Sequence, residues 1–130
     1  DFDRAVQIDP DNSQGYHNRA LVYQVRGNHP LAIESFKAAI NLNPNAAEPW
    51  NGRGVSLVAQ GNLDEALEDF ERALQIDPQY SEAWSNRGLV LERQGKPGEA
   101  YTSYSRGVQI DAGNEAAAAG QRRLSQYGAT

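Results

Sequence analysis

The sequence predicts an all-α protein built from antiparallel helix pairs, and three observations predict it. Residue types recur every 34 positions: Pro10, Pro44 and Pro78; Gly27, Gly61 and Gly95; Tyr16, Trp50 and Trp84; Ala32, Ala66 and Ala100; Phe2, Phe36, Phe70 and Tyr104. Within one interval the apolar residues fall at helical rather than alternating spacing. Turn residues then break each interval in the middle and at its end. Self-similarity of this length marks stacked units, none of which can bury its apolar stripe alone.

Residues 47–80 show the unit most clearly. Trp50, Leu57 and Val58, with small Gly54 between them, predict a first helix that Gly61-Asn62 interrupts. Leu63, Ala66, Leu67, Phe70, Ala73, Leu74 and Ile76 form the stripe of a second helix. Asp64 and Glu65 open it, where a helix N-terminus favours negative charge. The proline of LQIDP closes it, because the residue before proline is pushed out of the α region. Ala20, Gly54 and Gly88 on first helices, opposite Ala32, Ala66 and Ala100 on second helices, let the two approach closely. Tyr16, Trp50 and Trp84 are expected as large core knobs beside them.

A 34-residue helix–turn–helix unit with an aromatic at unit position 4, small residues at 8, 20 and 27, an aromatic at 24 and proline at 32 resembles the tetratricopeptide repeat. The resemblance implies an all-α, right-handed superhelical solenoid. With Ser13 as position 1, the complete units are 13–46, 47–80 and 81–114. Residues 1–12 then look like the second helix of a preceding unit, with Phe2, Ala5 and Pro10 in place, so the chain reads as a fragment or processed product. Residues 115–130, EAAAAGQRRLSQYGAT, look like a C-terminal capping helix. The third unit departs from the pattern at Gly107, Ala112 and Pro97-Gly98. Looser packing and helix termination are expected at that end.

Composition removes several classes of function. With 39% hydrophobic residues and no apolar run near the ~20 residues of a membrane span, no membrane insertion is expected. The chain contains no cysteine, which excludes disulfides, thiolate metal sites and cysteine nucleophiles. A net charge of −5 argues against nucleic acid, whose binding depends on clustered Lys and Arg. The segment WNGRG, Trp50 to Gly54, suggests a phosphate loop only superficially, since Leu57 stands where a third glycine belongs and no strand precedes it. His17 and His29 are too far apart for a helical metal pair, and no acid, base and nucleophile converge. No enzyme activity, cofactor or metal is expected. The compartment stays open, with the cytoplasm preferred to a periplasm.

The resemblance places unit positions 2, 5, 6, 9, 12 and 13 on a concave groove. In the first unit these are Gln14, His17, Asn18, Leu21, Gln24 and Val25; in the second, Glu48, Asn51, Gly52, Val55, Val58 and Ala59; in the third, Glu82, Ser85, Asn86, Leu89, Glu92 and Arg93. Leu21, Val55 and Leu89 would form an apolar ladder beside Asn18, Asn51 and Asn86. An asparagine side chain both donates and accepts, so a row of them can hold an extended peptide by its backbone. Glu48, Glu82 and Glu92 favour a ligand with apolar and basic residues.

One subgroup of the family grips acidic C-terminal tails of heat-shock chaperones with lysine, asparagine and arginine. Here His17, Leu21, Glu82 and Asn86 stand at those positions, which disfavours such a partner. Arg19, Arg53 and Arg87 recur at position 7, where their stems can cover apolar surface, with Asp69 the partner expected for Arg53. The acidic run Asp64, Glu65, Glu68, Asp69 and Glu71 reads as a solvated helix face with Glu68 and Arg72 at i,i+4. The function expected is that of a non-catalytic scaffold binding an extended peptide of another protein. The alternatives are self-association into a homo-oligomer through helix faces or array ends, and regulation of a larger protein.

Overall fold

Gly27, Gly61 and Gly95 have φ of +78°, +82° and +80°. This left-handed backbone is open to glycine without steric cost, and it ends the first helix of each pair. The computed structural model describes residues 12–128. Among them are seven α-helices and no strand: α1 Ser13–Val25, α2 His29–Leu42, α3 Ala47–Ala59, α4 Leu63–Ile76, α5 Ser81–Arg93, α6 Pro97–Ile110 and α7 Glu115–Arg123, followed by a 3₁₀ turn Ser125–Gly128. Residues 1–11, read above as part of a preceding repeat, lie outside the described residues, as do 129 and 130. The segment WNGRG is helical, within α3.

Short polar side chains set several helix starts. Asn12, Asn28 and Asn114 accept hydrogen bonds from the backbone N–H groups of Gly15, Leu31 and Ala117 at the starts of α1, α2 and α7. At the ends of second helices, Asn43, Asp77 and Asp111 each accept a bond from the N–H two residues on, at 3.3, 3.1 and 2.9 Å. Helix α6 therefore stops at Ile110, the unit position at which α2 and α4 stop, although Ala112 replaces the proline. The side chain before the proline position is enough to turn the chain.

The chain divides into two units, one ending at Asp69 and one beginning at Phe70, so that the division falls within α4. In the first, α1 packs on α2 and α2 on α3. Ala20, Ala32 and Phe36 are fully buried together, with Tyr23 against them. The Phe36 ring also lies on the bare backbone of Gly52, where an added Cβ would overlap it. In the second unit α5 packs on α6, and α7 on both. Tyr104, 3% exposed, lies against Gly88 and Gly120, where a Cβ would meet the ring at 2.9 Å or less. Gly107 does not leave a gap: a Cβ there would lie 3.0 Å from that of Ala117, so the missing methyl is what admits α7.

The knobs of the core are therefore the second-helix aromatics. Trp50 and Trp84 are only half-buried, contrary to the expectation above. Each indole N–H instead donates to a carbonyl of the preceding loop, Trp50 to Pro44 at 3.0 Å and Trp84 to Pro78 at 2.9 Å. A tryptophan with its N–H tied to a loop carbonyl sits at the edge of the core rather than inside it.

Phe36→Ala is expected to cost about 3–5 kcal/mol through lost burial and a residual cavity, and Trp50→Ala clearly less. Urea unfolding of both variants measures the order, and a larger loss for Trp50→Ala would overturn this assignment of the core.

Candidate functional site

The first helices carry the residues expected to bind a peptide, and the structure treats them unequally. On α1, Gln14, Asn18, Leu21 and Val25 are spaced i, i+4, i+7 and i+11 and share one face. Gln14 Nε2 donates to Asn18 Oδ1 at 3.0 Å. Leu21 is 39% exposed and Val25 89%, an apolar surface next to an amide pair. On α3, Glu48 is exposed and Val55 and Val58 are half-buried. Asn51 is not at the surface: it is 4% exposed, so its amide cannot reach a peptide backbone as expected. Gly52 is covered by Phe36. In the other unit, Glu82 and Arg93 of α5 are exposed, Asn86 and Leu89 half-buried, and Ser85 buried.

Position 12, expected to face a ligand, instead joins helices. Gln24 Nε2 donates to Gly52 O and to Ser56 Oγ, both at 2.9 Å, and His29 Nδ1 lies 3.0 Å from the same hydroxyl. Ser56 is fully buried, so these bonds satisfy a hydroxyl that would otherwise be costly. Glu92 receives the Tyr104 hydroxyl at 2.9 Å and the Arg123 guanidinium at 2.8 and 2.6 Å. Arg123 also lies over the Tyr104 ring, 5.9 Å from its centroid. The bidentate Arg123 bond holds the Glu92 carboxyl below the usual glutamate range, and burial and the bond to Glu92 hold the Tyr104 phenol above its usual value. This cluster fastens α7 to the pair α5 and α6.

The recurrent arginines are structural as well. Arg53 makes a bidentate pair with Asp69 at 2.8 and 2.9 Å, the partner expected from sequence, and lies over Trp50 at 5.1 Å. Arg19 donates to Ser35 at 3.1 Å and lies over Tyr16, while Arg87 lies over Trp84 with Glu71 at 3.5 Å. An aromatic three residues earlier on the helix thus supports each guanidinium.

His17 is half-buried, tilted against Phe36 with ring centroids 5.6 Å apart. Its Nδ1 is buried and has no hydrogen-bond partner among the described residues. Burial pulls its pKa below the usual histidine value, against the opposing pull of the Glu48 carboxylate. It lines a hollow of about 200 Å³ with Ser13, Gln14, Asn43, Glu48 and Pro49, and of these only His17, Gln14 and Glu48 were singled out by sequence reasoning. Among the described residues no group of three or more His, Asp or Glu is placed to hold a metal, and no helix is long and apolar enough to cross a membrane.

Paired antiparallel helices, the first of each pair ended by the same positive-φ glycine, define a helical repeat protein. A TPR repeat model matches residues 26–61 and 54–95, and two tetratricopeptide repeat models match residues 2–34 and 81–114. The chain belongs to the tetratricopeptide repeat family. Its fold is similar to the TPR domain of Arabidopsis OM64, at 20% identity over 88% of this chain and 94% of that one, with a TM-score of 0.84. It is similar also to the first TPR of Spaghetti (RPAP3) bound to HSP90 peptide SRMEEVD, at 21% identity, 94% and 97% coverage and a TM-score of 0.86. The Sgt2 TPR domain from Aspergillus fumigatus matches at 24% identity, 88% and 77% coverage and a TM-score of 0.83. The fold class is thus an all-α helical solenoid. No curated protein matches the chain.

Because the folded Glu92 pKa lies below its unfolded value, its stabilisation is complete above the usual glutamate pKa and disappears as pH falls through the lowered one. Amide hydrogen exchange in α7, taken relative to the intrinsic rate at each pH, should therefore accelerate in acid before exchange in α5 does. In Arg123→Ala it should be fast at neutral pH already, and unchanged α7 protection in that variant would remove the fastening role.

Proposed function

We propose that the chain is a non-catalytic scaffold that holds an extended segment of another protein on the exposed faces of its first helices. In this reading 13–46, 47–80 and 81–114 are the repeats, 115–130 closes the array, and 1–12 belong to a preceding repeat. The observation that carries it is the face of α1, where exposed Leu21 and Val25 adjoin the Gln14–Asn18 amide pair. Large apolar side chains left at the surface beside groups that bond a peptide backbone suit a ligand that is partly apolar. The family and the fold support an interaction role, and one structure of similar fold holds a peptide.

The partner differs in chemistry from that acidic peptide. Glu48 and Glu82 are exposed on the first helices, and His17 and Leu21 replace the polar and cationic groups that a carboxylate tail needs. An apolar and basic segment is the better match.

Selection of acetylated random peptides against the chain should yield apolar, basic sequences, while SRMEEVD should not compete with them. Asn18→Ala combined with Leu21→Ala should weaken the selected peptides at least tenfold, or about 1.4 kcal/mol, with the melting temperature unchanged. Titration calorimetry reads both numbers, and undiminished affinity would remove the α1 face from the binding surface.

A further inference from the structure

The chain contains two histidines, and both lie in the first helix pair, His17 on α1 and His29 at the start of α2. At the position of His17 the next two repeats carry Asn51 and Ser85, neither of which titrates. The two imidazoles are held differently. His29 Nδ1 lies 3.0 Å from Ser56 Oγ. His17 Nδ1 is buried with no partner among the described residues, and its ring rests tilted on Phe36, 5.6 Å between centroids. Phe36 is fully buried with Ala20 and Ala32 and lies on Gly52 of α3. The His17 ring is therefore one layer of the packing that joins α1 to α2.

We propose that His17 is a proton-operated release for this helix pair: the neutral ring packs on Phe36 and holds α1 against α2, and the charged ring leaves. A neutral imidazole carries a single N–H, so Nδ1 can stay a bare lone pair among apolar neighbours. The imidazolium carries a proton on both nitrogens. Its Nδ1–H would be a buried, charged donor with no acceptor, which costs far more than an unused lone pair. The ring is half-buried, so it reaches water by rotation of its side chain while α1 stays helical. Its departure uncovers one face of Phe36.

The charged surroundings do not reverse this preference. Among the described residues that line the hollow beside His17, drawn from α1, α2, the following loop and α3, only Glu48 titrates. Its carboxylate favours the imidazolium, but burial is the larger effect and holds the imidazole pKa below its ordinary value. Arg19 of α1 is engaged with Tyr16, Tyr23 and Ser35, and Glu34 and Lys37 of α2 are exposed.

Above about pH 6.5, the ordinary histidine value, the packed and released rings are both neutral and the packed form keeps its full advantage. Below it the released ring takes up a proton that the packed ring refuses. The release constant then rises by up to about tenfold per pH unit, the limit for one proton. The device works without a ligand, so its failure would leave the scaffold reading standing.

An NMR pH titration of the 130-residue chain tests this. Imidazole shifts follow the charge of each histidine, and the nuclear Overhauser contact between the His17 and Phe36 rings follows the packing. The contact should vanish in step with protonation of His17, at a midpoint below about pH 6.5, while α7 is still protected. Amide protection in α1 and α2, taken relative to the intrinsic rate at each pH, should fall over the same range, and that of α5 and α6 should not. His17→Asn, which installs the residue of the second repeat, should abolish this dependence, and His29→Gln should keep it.

A His17 ring that gains its proton with the Phe36 contact intact, a midpoint at or above the ordinary value, or a contact that outlasts the protection of α7 in acid would overturn the proposal. So would acid sensitivity of α1 that survives in His17→Asn or disappears in His29→Gln. The ring contact is read in the parent chain, so the decision stands even where a variant fails to fold.

Discussion

An aromatic ring seated on bare helix backbone is the contact from which the other features follow. Phe36 lies on Gly52, and Tyr104 lies on Gly88 and Gly120. Glycine inside a helix costs about 1 kcal/mol relative to alanine, so each of these positions opposes the helix it occupies. The ring recovers that cost by close contact that a methyl group would prevent. The hydroxyl of Tyr104 then imposes a further requirement that Phe36 does not. A phenol pressed into this site needs an acceptor, which is Glu92, and the carboxylate needs a cation, which is Arg123 on α7. One change of ring chemistry thus explains a three-residue cluster at the end of the chain.

Much of the fold was legible because its constraints repeat. A glycine at positive φ leaves a mark in sequence at every 34th residue, and so does a side chain that turns the chain after each second helix. Arg53 and Asp69 could be paired from sequence because the short acceptor stands on the second helix facing the arginine of the first, and they do pair. Less legible was which residues a neighbouring helix would cover. Periodicity assigns a residue to a face but does not say whether that face meets water or another element. Trp50 was therefore placed in the core and Asn51 at the surface, whereas the indole is half-buried at a loop and the amide is inside.

A signal for one hidden network was present but went unread. Position 10 holds Val22, Ser56 and Val90, so a hydroxyl replaces an apolar group at a place where a helix packs. Such a substitution calls for buried hydrogen-bond partners, and Gln24 and His29 supply them. Gln24 was assigned to a groove by analogy with its position alone. Chemistry at the facing position would have assigned it to packing.

The division of labour between positions shows how such a protein changes its ligand without changing its frame. Positions 8 and 24, with position 6 where it is glycine, are bound by the ring contact, and their substitution disturbs the helices themselves. Positions 2, 5, 9 and 13 of α1 carry Gln14, His17, Leu21 and Val25, of which Gln14, Leu21 and Val25 are exposed and His17 is half-buried. At position 5 an asparagine or serine withdraws into the protein, while the larger imidazole remains half outside and leaves a ring nitrogen without a partner among the described residues. The same backbone therefore presents a closed corner in one unit and an open one in the other. What this chain recognises is then decided by a few side chains whose alteration the core barely registers, which is why the period in the sequence reveals the scaffold and only its exceptions point to the ligand.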